Sequence, residues 1–514
     1  MEQSLFISQQ EIEQVNKLNT ININVGVLGH IDSGKTSLVK TLSKITSTAS
    51  LDKNPQSQER GITLDLGFSA FYTRNPNEQG KYFQFTLVDC PGHASLIKTI
   101  IGGAQIIDMM FLVIDVTKGI QTQTAECLVI GEILADKLIV VLNKIDLATE
   151  EVINKQKKII SNVLSKTKFG NQVSLVPVSA VQAIGIEDLL GILLHNITIP
   201  NRQAQLNKGL LFMIDHCFQI KGQGTVTTGT IIQGSMKPND EVFFPMLNLN
   251  KKIKSLQMFK KPVQIGEPGD RIAALFTNLD AKEIERGIVC QPGIVSLLEN
   301  IVIDFKKISY YKGQLKSQNK FHITSGHLTV MGQLKLIIRP KNLQLEINSE
   351  GEYLEDYEDY IKLQEKYNLY GVLQLEKPLI ASMNSLVIGS KLDTDLEANI
   401  CRIAFYGNIL FSYTAQQIFQ QNFLRVFRKK TKNGKVEKVI DNYTLLIKDL
   451  FKKETNIANY IGKLIVIKQG NIQGKIDSAF GKSGKVKVFV ESGTNQDMGN
   501  SDVVMIYKKY LFHK

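Results

Sequence analysis

A glycine-rich stretch at residues 29–36, Gly-His-Ile-Asp-Ser-Gly-Lys-Thr, has the residue types and spacing needed to bind phosphate. It matches G-x-x-x-x-G-K-[ST] and lies between an apolar run at residues 23–28 and a helical pattern after it. The glycines let backbone N–H groups turn toward phosphate oxygens beside a helix N-terminus. Lys35 would reach the terminal phosphates of a nucleoside triphosphate, and the Thr36 hydroxyl would bind Mg²⁺. The predicted phosphate-binding residues are Gly29, His30, Ile31, Asp32, Ser33, Gly34, Lys35, Thr36 and Ser37.

Two further motifs add metal and phosphate ligands. Asp-Cys-Pro-Gly-His begins at Asp89, directly after an apolar run, so the Asp89 carboxylate can hold Mg²⁺ through water and Gly92 can turn its peptide toward the terminal phosphate. Arg-Gly-Ile-Thr ends at Thr63, in a loop-like segment, where its hydroxyl could complete the metal shell. The predicted Mg²⁺ residues are Thr36, Thr63 and Asp89.

A third group of residues could recognise the base. Asn-Lys-Ile-Asp at residues 143–146 follows another apolar run. The Asp146 carboxylate can accept hydrogen bonds from N1–H and the 2-amino group of guanine, which adenine does not offer. The Asn143 amide and the Lys144 stem would close over the base and the phosphate loop, and Ser179-Ala180 suits a backbone donor to the guanine O6. Taken together, the motifs predict a GTP-binding switch domain with GTP and Mg²⁺ as its ligands.

Hydrolysis of GTP needs a group that orients the attacking water, and His93 is our candidate. Ile31 and Ile62 could form an apolar gate that keeps the imidazole away until a partner moves it. The alternative is that His93 only packs or hydrogen-bonds. We expect slow intrinsic turnover, because Arg60 is the only arginine near Thr63 that could act as a finger.

The elements that must position these residues follow an alternating pattern. Short apolar runs alternate with amphipathic helical segments over residues 21–205, which predicts an α/β domain with a doubly wound, mostly parallel sheet. Ligands of such sheets bind at the carboxyl ends of the strands, where most of the motifs fall. Residues 1–20 form an N-terminal extension before this domain.

Two β-rich segments follow the predicted GTP-binding domain. Glycine-punctuated, β-branched strands over residues 206–293 predict a small closed β-barrel, and residues 294–413 predict a second β-barrel. An acidic segment, residues 348–367, interrupts the second barrel and is expected to be an exposed insertion.

Length and composition bound the class of protein. The chain has 514 residues, which is enough for roughly three or four domains. We expect a cytoplasmic protein without a membrane segment, because no apolar run approaches the ~20 residues of a span and the N-terminus lacks a secretory signal. The five cysteines are scattered and contain no C-x-x-C pair, so reduced thiols are expected rather than disulfides or a zinc site.

The positive charge is concentrated near the C-terminus. The net charge is +12, and residues 418–514 hold 19 Lys and Arg against 8 Asp and Glu, a net of +11. Residues 414–514 are therefore expected to form a basic, β-rich C-terminal domain that contacts nucleic acid. A lysine surface that only aids solubility is the alternative.

The motifs resemble those of the translational GTPases related to elongation factor Tu, and nearly the whole chain resembles their selenocysteine-specific branch in eukaryotes and archaea. The resemblance to the selenocysteine-specific branch is carried by five stretches: residues 56–68, 214–225, 387–390, 450–456 and 477–481. The resemblance implies a ribosome-stimulated GTPase that delivers selenocysteinyl-tRNA to the ribosome at recoded UGA codons. It also implies that the barrels hold the aminoacylated end of the tRNA.

Three barrel residues match the positions where this family holds the selenocysteinyl group: Asp215, His216 and Arg271. The selenol is largely ionised at neutral pH, so its recognition should use cations and donors. Arg271 would pair with the selenolate and His216 would donate to it. Asp215 would orient the site or meet the α-amino group. Without the family match, Arg271 would more simply be an ion-pairing residue and His216 a core residue.

The C-terminal domain resembles the fourth domain of the eukaryotic-type selenocysteine factor. The family implies contacts with the tRNA, with the selenocysteine-insertion RNA element and with the protein that binds this element, and we expect a monomer. Lysine-phosphate contacts would give salt-dependent, weakly sequence-specific affinity. An Asn433-Gly434 turn is expected within this domain. The RNA-binding candidates are Arg425, Arg428, Lys429, Lys430, Lys432, Lys482, Lys485 and Lys487.

Two other functions remain open from the sequence. One is a general or initiator aminoacyl-tRNA carrier, against which His216, Arg271 and the basic domain argue. The other is a GTPase of RNA assembly whose barrels serve only as interaction scaffolds. Binding of charged and uncharged tRNAs would separate all three.

Overall fold

The computed structural model describes most of the chain: residues 5–7, 11–12, 15–43, 45–46, 66–91, 99, 101, 106–284, 286–393, 401–414, 416–417, 423–481, 483–494 and 498–511. The chain divides into two compact units. The first contains Met1–Leu334 and Gly371–Tyr413, and the second contains Lys335–Tyr370 and Thr414–Lys514. In the described ranges, no helix has the length and apolar character needed to cross a membrane. The predicted site residues outside these ranges are Ile62, Thr63, Gly92, His93 and Lys482.

The predicted mostly parallel sheet is present in the first unit. Its strands are β1 (Thr20–Gly29), β2 (Ile45–Thr46), β3 (Gly67–Arg74), β4 (Tyr82–Asp89), β5 (Met109–Asp115), β6 (Lys137–Asn143) and β7 (Ser174–Pro177). They lie in the order β2-β3-β4-β1-β5-β6-β7, and β3 runs antiparallel to both of its neighbours. Strands β5 and β6 are nearly continuous apolar runs, as is typical of strands that are covered on both faces of a parallel sheet.

Helices connect these strands. They are α1 (Lys35–Leu42), α2 (Thr122–Leu134), α3 (Glu150–Leu164), α4 (Ile186–Asn196) and the short α5 (Gln203–Leu206). Helix α1 buries Leu38, Val39 and Leu42 in the core beneath the sheet. Acidic residues in the first turns of α3 and α4 favour these helix ends through the helix dipole. Because β1, β4, β5 and β6 run parallel to one another, their carboxyl ends meet at one edge of the sheet. The described motif residues lie at this edge.

The first predicted barrel follows. Its strands are β8 (Leu211–Ile220), β9 (Gly224–Gln233), β10 (Glu241–Phe244), β11 (Leu249–Met258), β12 (Lys261–Val263), β13 (Arg271–Phe276) and β14 (Gly287–Cys290). The order β10-β14-β8-β9-β13-β11 closes through a β10–β11 pairing, and β12 extends β11 as a hairpin. Phe212, Phe244 and Phe276 fill the interior, where alternate residues of each strand point inward.

The second predicted barrel is also built from antiparallel strands. They are β15 (Ser296–Asp304), β16 (Lys306–Lys307), β17 (Lys320–Ser325), β18 (Leu328–Pro340), β20 (Tyr367–Ala381), β21 (Leu386–Ser390) and β22 (Ile403–Tyr413), and β19 (Glu350–Leu354) lies between β18 and β20 in the chain. The order β17-β21-β22-β15-β20-β18 closes through a β17–β18 pairing. The stacked rings of Phe305 and Phe405, with Phe321 against the latter, pack in its interior.

The second unit contains another closed barrel, which agrees with the β-rich character predicted for the C-terminal domain. Its strands are β23 (Arg425–Asp441), β24 (Thr444–Lys448), β25 (Leu464–Ile467), β26 (Ile472–Phe480), β27 (Lys485–Phe489) and β28 (Asp502–Tyr510). They follow the order β23-β24-β27-β26-β25-β28, closed by a β23–β28 pairing. In β27 the alternation of buried valines with outward Lys485 and Lys487 agrees with the predicted half-buried strand.

The acidic segment at residues 348–367 is not simply exposed, and this expectation was wrong. It contains strand β19 (Glu350–Leu354) and a short helix α6 (Tyr357–Ile361). Strand β19 pairs with both β18 and β23, and Tyr353 and Leu354 are buried. The acidic side chains masked an alternating apolar pattern in the same strand. The segment is thus an integral part of the second unit.

The predicted Asn433-Gly434 turn is also wrong. Both residues lie inside the long strand β23, opposite Val504 and Val503 of β28. A Cβ on Gly434 would lie 2.8 Å from the backbone oxygen of Lys448. Glycine is therefore needed there for close approach between chain segments rather than for a turn.

Candidate functional site

The loop between β1 and α1 has a backbone that suits a phosphate ligand. Gly34 has a φ of +88°, in the left-handed region, directly before helix α1. A Cβ at this position would lie 2.2 Å from the side-chain nitrogen of Asn143. Glycine therefore serves two purposes here, since the position requires both the conformation and the missing side chain. Asp32, at a φ of +59°, also lies in the left-handed region.

Polar groups in this loop are poised for an anion. The Lys35 ammonium donates to the backbone oxygen of His30 at 2.7 Å, and burial lowers the pKa of Lys35. Among the described residues, the buried Ser33 Oγ and His30 Nδ1 have no hydrogen-bond partner. Burial, with the nearby Lys35 charge, also lowers the pKa of His30. A buried cation beside unsatisfied polar atoms fits a bound phosphate chain.

Two of the three predicted metal residues lie together. The Thr36 hydroxyl donates to the Asp89 carboxylate at 2.7 Å, and Asp89 is fully buried at the end of β4. A hydroxyl and a carboxylate are hard oxygen ligands of the kind that Mg²⁺ prefers. The donor set therefore fits Mg²⁺, with the third predicted residue, Thr63, outside the described residues.

Asn143 joins three of the predicted motifs. Its side-chain nitrogen donates to the backbone oxygen of Ser33 at 2.9 Å, and its side-chain oxygen accepts from the backbone nitrogen of Ala180 at 3.0 Å. Thr41 of α1 donates to the backbone oxygen of Ala180 at 2.7 Å. These bonds hold the phosphate loop, the Asn-Lys-Ile-Asp turn and the Ser179-Ala180 segment in one cluster.

The base-recognition residues lie beside this cluster. The Lys144 ammonium forms a 2.8 Å ion pair with Asp115, whose carboxyl pKa is held below its usual range, despite burial, by hydrogen bonds from Lys144 and Thr117. Asp146 lies on an exposed turn, where its carboxylate is accessible to a base. Asp115 was not predicted from sequence, although it ends β5 directly beside Asn143 of β6.

The predicted hydrolytic residues are only partly described. Ile31 lies in the phosphate loop, and its backbone nitrogen donates to the Gln123 side chain of helix α2 at 3.3 Å. Ile62, Gly92 and His93 lie outside the described residues. The apolar gate and the role of His93 therefore stay predictions.

The three predicted barrel residues lie together on β8 and β13, with Asp215 and Arg271 buried and His216 half-buried. The Arg271 guanidinium binds Asp215 through both of its terminal nitrogens, the longer bond being 2.8 Å. His216 Nδ1 lies 2.9 Å from the same carboxylate. Thr228 donates to Asp215 at 3.0 Å. The Asp215 carboxylate therefore contacts both the Arg271 guanidinium and the His216 imidazole.

The electrostatics of this cluster keep it charged. Arg271 is 4% exposed and Asp215 is 2% exposed. Despite burial, the Arg271 charge and hydrogen bonds, helped by His216, hold the pKa of Asp215 well below its usual range. A buried ion pair of this kind is costly to break from one side, because the remaining charge is left without a partner.

Phe68 completes the cluster and was missed by the sequence analysis. This β3 residue of the GTP-binding domain is fully buried, with the Arg271 guanidinium 3.1 Å from its ring centroid. Its ring also meets the His216 ring edge to face, at 6.3 Å between centroids. Phe68 lies five residues after Thr63, at the end of the family-like stretch 56–68. Only the tertiary structure brings it to the barrel.

The RNA-binding candidates of the second unit have different environments. Arg425, Arg428 and Lys429 form ion pairs with Glu350, Glu355 and Glu352, at 2.6, 3.3 and 2.5 Å respectively. Lys485 pairs with Glu437, Lys487 lies over the Phe480 ring, and Lys432 lies over Phe451 and Tyr460. Lys430 is exposed. The ion pairs neutralise several of the candidate cations.

Comparison with protein families gives matches along most of the chain. The family models are "Elongation factor Tu GTP binding domain" at residues 20–199, "Elongation factor Tu domain 2" at 224–290, "Selenocysteine-specific elongation factor, eukaryotes, 3rd domain" at 302–407 and "eEFSec C-terminal RIFT domain" at 423–513.

Individual relatives of similar sequence are described, like the third family model, as selenocysteine-specific elongation factors. The chain is 43% identical to a selenocysteine-specific elongation factor of Mus musculus, over 93% of this chain and 89% of the relative. It is 33% identical to the factor of the same description from Methanocaldococcus jannaschii, over 90% and 93%. Among solved structures, translation elongation factor SelB of Methanococcus maripaludis in complex with the GTP analogue GppNHp aligns with a TM-score of 0.74 and 28% identity, covering 96% of this chain and 99% of that one.

Proposed function

Because the chain belongs to the selenocysteine-specific elongation factors of the elongation factor Tu class, we propose that it carries selenocysteinyl-tRNA to the ribosome at recoded UGA codons. It is a translational GTPase with an elongation factor Tu GTP-binding domain. The cluster of Asp215, His216 and Arg271 carries the proposal, because the buried Arg271 supplies a cation and His216 a hydrogen-bonding ring where an uncharged amino-acid side chain would need neither.

In the proposed nucleotide site, the phosphate loop wraps the phosphates and Lys35 neutralises their charge. Thr36 and Asp89 hold Mg²⁺, with Thr63 as the third residue. Bound Mg²⁺ would neutralise charge that develops on the phosphates during transfer. Asn143, Lys144, Asp146 and the Ser179-Ala180 segment select guanine. These roles are supported by the meeting of the phosphate loop with the Asn143 and Ala180 motifs.

Hydrolysis in this proposal is timed by the ribosome. His93 orients the attacking water once ribosome binding opens the Ile31–Ile62 gate. Its position directly after the Asp-Cys-Pro-Gly turn supports this role. Release of phosphate would then free the tRNA from the factor.

In the proposed aminoacyl site, a selenolate meets Arg271 and His216 while Asp215 holds both side chains in place. Asp215 stays ionised at neutral pH because its carboxyl pKa is depressed. The Phe68 ring limits how Arg271 can move, since it lies against the guanidinium face. A carrier of uncharged amino acids would have no use for a buried arginine here, which argues against the general-carrier alternative.

The second unit is proposed to bind RNA of the recoding machinery, including the tRNA and the selenocysteine-insertion element with its binding protein. Its match to the eEFSec C-terminal RIFT domain supports this assignment. Lys430 and Lys432 are better candidates than Arg425 or Lys429, because the latter two form ion pairs with acidic side chains of the same unit.

Filter binding with the selenocysteinyl, seryl and uncharged forms of one tRNA tests the proposal. We expect tight binding of the selenocysteinyl form alone in the presence of GTP. Similar affinity for the seryl form would favour a general carrier, and no preference for any acylated form would favour an RNA-assembly GTPase.

Arg271→Ala tests the pocket itself. We expect it to weaken selenocysteinyl-tRNA binding by about 100-fold, since a charge-assisted contact is lost, while GTP affinity stays within about twofold. Lys254→Ala, at an exposed position of the same barrel, is the control and should change neither. A variant that keeps normal tRNA affinity would remove Arg271 from the proposed site. Thermal denaturation of both variants separates lost binding from lost folding.

A further inference from the structure

The N-terminal extension, residues 1–20, contacts the loop that carries Arg271. Lys17, in the short helical turn Lys17–Asn19, donates to the Asp270 carboxylate and forms a 3.1 Å ion pair with Glu267. Asn16 caps this turn by accepting hydrogen bonds from Leu18 and Asn19. The Lys17 ammonium is therefore held in place rather than extended into solvent.

Asp270 needs this partner. It is 2% exposed and precedes Arg271 directly, at the start of β13. The backbone nitrogen of Glu267 also donates to its carboxylate, at 2.9 Å. Burial raises the pKa of Asp270, and the Lys17 charge opposes that rise. Glu267 also faces it, and its negative charge raises the pKa as well.

The same loop is held by the strand that leads into the phosphate loop. The backbone oxygen of Gly269 accepts from the side-chain nitrogens of Asn22 and Asn24 in β1, at 2.5 and 3.0 Å. Asp270 in turn accepts through its backbone oxygen from Ile231, at 3.1 Å, and Arg271 lies opposite Thr230 in β9. A shift of the loop at residues 267–270 would therefore displace the start of β13.

Other contacts fix the extension over both domains. Ile12 and Val15 are buried with Tyr72 of β3, on the GTP-binding domain. Lys261 of the barrel donates to the backbone oxygens of Ile12 and Val15, at 2.7 and 3.3 Å. The segment that carries Lys17 is thus packed through contacts that do not involve Asp270.

We propose that Lys17 is a positioning residue of the aminoacyl site: it supplies the counter-charge of the buried Asp270 and so fixes the loop from which Arg271 projects. The proposal rests on the function proposed above, since it assigns Arg271 to the selenocysteinyl group. Lys17 itself touches neither Arg271 nor the expected substrate position, and it acts through Asp270.

The test compares Lys17→Met with Lys17→Arg and with Lys261→Met, which loosens the extension without removing the Asp270 partner. Two quantities are measured: selenocysteinyl-tRNA affinity between pH 6 and pH 8.5, and amide hydrogen exchange in residues 267–273. We expect Lys17→Met to weaken tRNA binding by about tenfold at pH 8.5 through misplacement of Arg271, with GTP affinity unchanged.

The direction in which pH changes the tRNA affinity of Lys17→Met follows from the protonation of Asp270. Without Lys17 the Asp270 pKa rises further, so falling pH protonates the carboxyl and removes the uncompensated buried charge. The loss of tRNA affinity should therefore shrink toward pH 6. Lys17→Arg should behave like the unmodified chain, and Asp270→Asn added to Lys17→Met should restore slow exchange in the loop.

Two results would overturn the proposal: equal effects of Lys17→Met and Lys261→Met at both ends of the pH range, or unchanged exchange in residues 267–273 in Lys17→Met. Failure of the proposed function would look different. The unmodified chain would then fail to prefer selenocysteinyl-tRNA over seryl-tRNA, while the exchange measurement would still judge the role of Lys17.

Discussion

At the scale of single residues, Asp215 is buried and is held ionised by its hydrogen-bond partners. Its carboxylate accepts hydrogen bonds from Arg271 and Thr228 and lies against His216 Nδ1. Its depressed pKa means that its contribution to folding is present above the ordinary Asp pKa and is lost as pH falls toward the folded-state pKa. Neutral conditions therefore retain the full effect of the ion pair.

Asp215→Asn should lower the free energy of unfolding by about 3 kcal/mol at pH 7, because Arg271 stays buried without its counter-charge. Denaturant unfolding measures this value. The difference from the unmodified chain should hold between pH 5 and pH 8 and narrow only in stronger acid. Glu241→Gln, at an exposed position of the same barrel, should cost less than about 0.5 kcal/mol. An equal cost for the two variants would contradict this account of the cluster.

The motif residues of the nucleotide site could be predicted from sequence because their chemistry is local. Gly34, Lys35 and Thr36 lie in one turn, and Asn143 follows a recognisable strand. Asp115 and Phe68 were missed, since their importance depends on neighbours that only the folded sheet and barrel bring close. Asp215, His216 and Arg271 were predicted to share one pocket only through the family resemblance, because spacing alone does not join Asp215 to Arg271.

At the scale of elements, helix α2 connects the phosphate loop with the second barrel. Its Gln123 accepts from the backbone nitrogen of Ile31, while its Glu126 carboxylate binds the Arg402 guanidinium at 2.9 and 2.7 Å. Both side chains of this ion pair are 6% exposed. The backbone nitrogen of Arg402 also donates to Glu126, at 3.0 Å. One helix thus contacts both the nucleotide site and a barrel.

Glu126→Gln should leave the Arg402 charge buried and loosen this contact. We expect a loss of about 3 kcal/mol in stability and faster hydrogen exchange in residues 402–405. Glu132→Gln is the matched control: it lies further along α2, and its side-chain oxygen can still accept from the backbone nitrogen of Lys168. If both variants exchange at the rate of the unmodified chain, the ion pair does not hold the helix to the barrel.

The two elements that were predicted wrongly from the sequence were wrong for the same physical reason. Strand β19 was taken for an exposed insertion because its glutamates dominate its composition, yet Tyr353 and Leu354 are buried. Asn433 and Gly434 have the composition of a turn but lie within β23. In both places, pairing with a distant strand outweighs the local preference. Long apolar runs such as β5 and β6 were predicted well, because burial on both faces leaves a clear signal.

At the scale of the whole molecule, matched family models and relatives cover most of the chain. The four models occur in chain order, from the GTP-binding domain to the C-terminal domain. Relatives in a mouse and an archaeon align over about nine-tenths of the chain. In the proposed account, the nucleotide domain times delivery, the first barrel selects the amino acid and the C-terminal unit binds the recoding RNA. For these three functions to act in sequence, GTP hydrolysis must follow codon recognition.

The most direct test is therefore the rate of GTP hydrolysis on ribosomes that present a UGA codon with a selenocysteine-insertion element. We predict that adding selenocysteinyl-tRNA raises the single-turnover rate by at least about 1000-fold over that of the free factor. Seryl-tRNA of the same sequence should leave the rate near its unstimulated value. Equal stimulation by both aminoacyl forms, or by neither, would contradict the central claim that this GTPase delivers selenocysteine selectively.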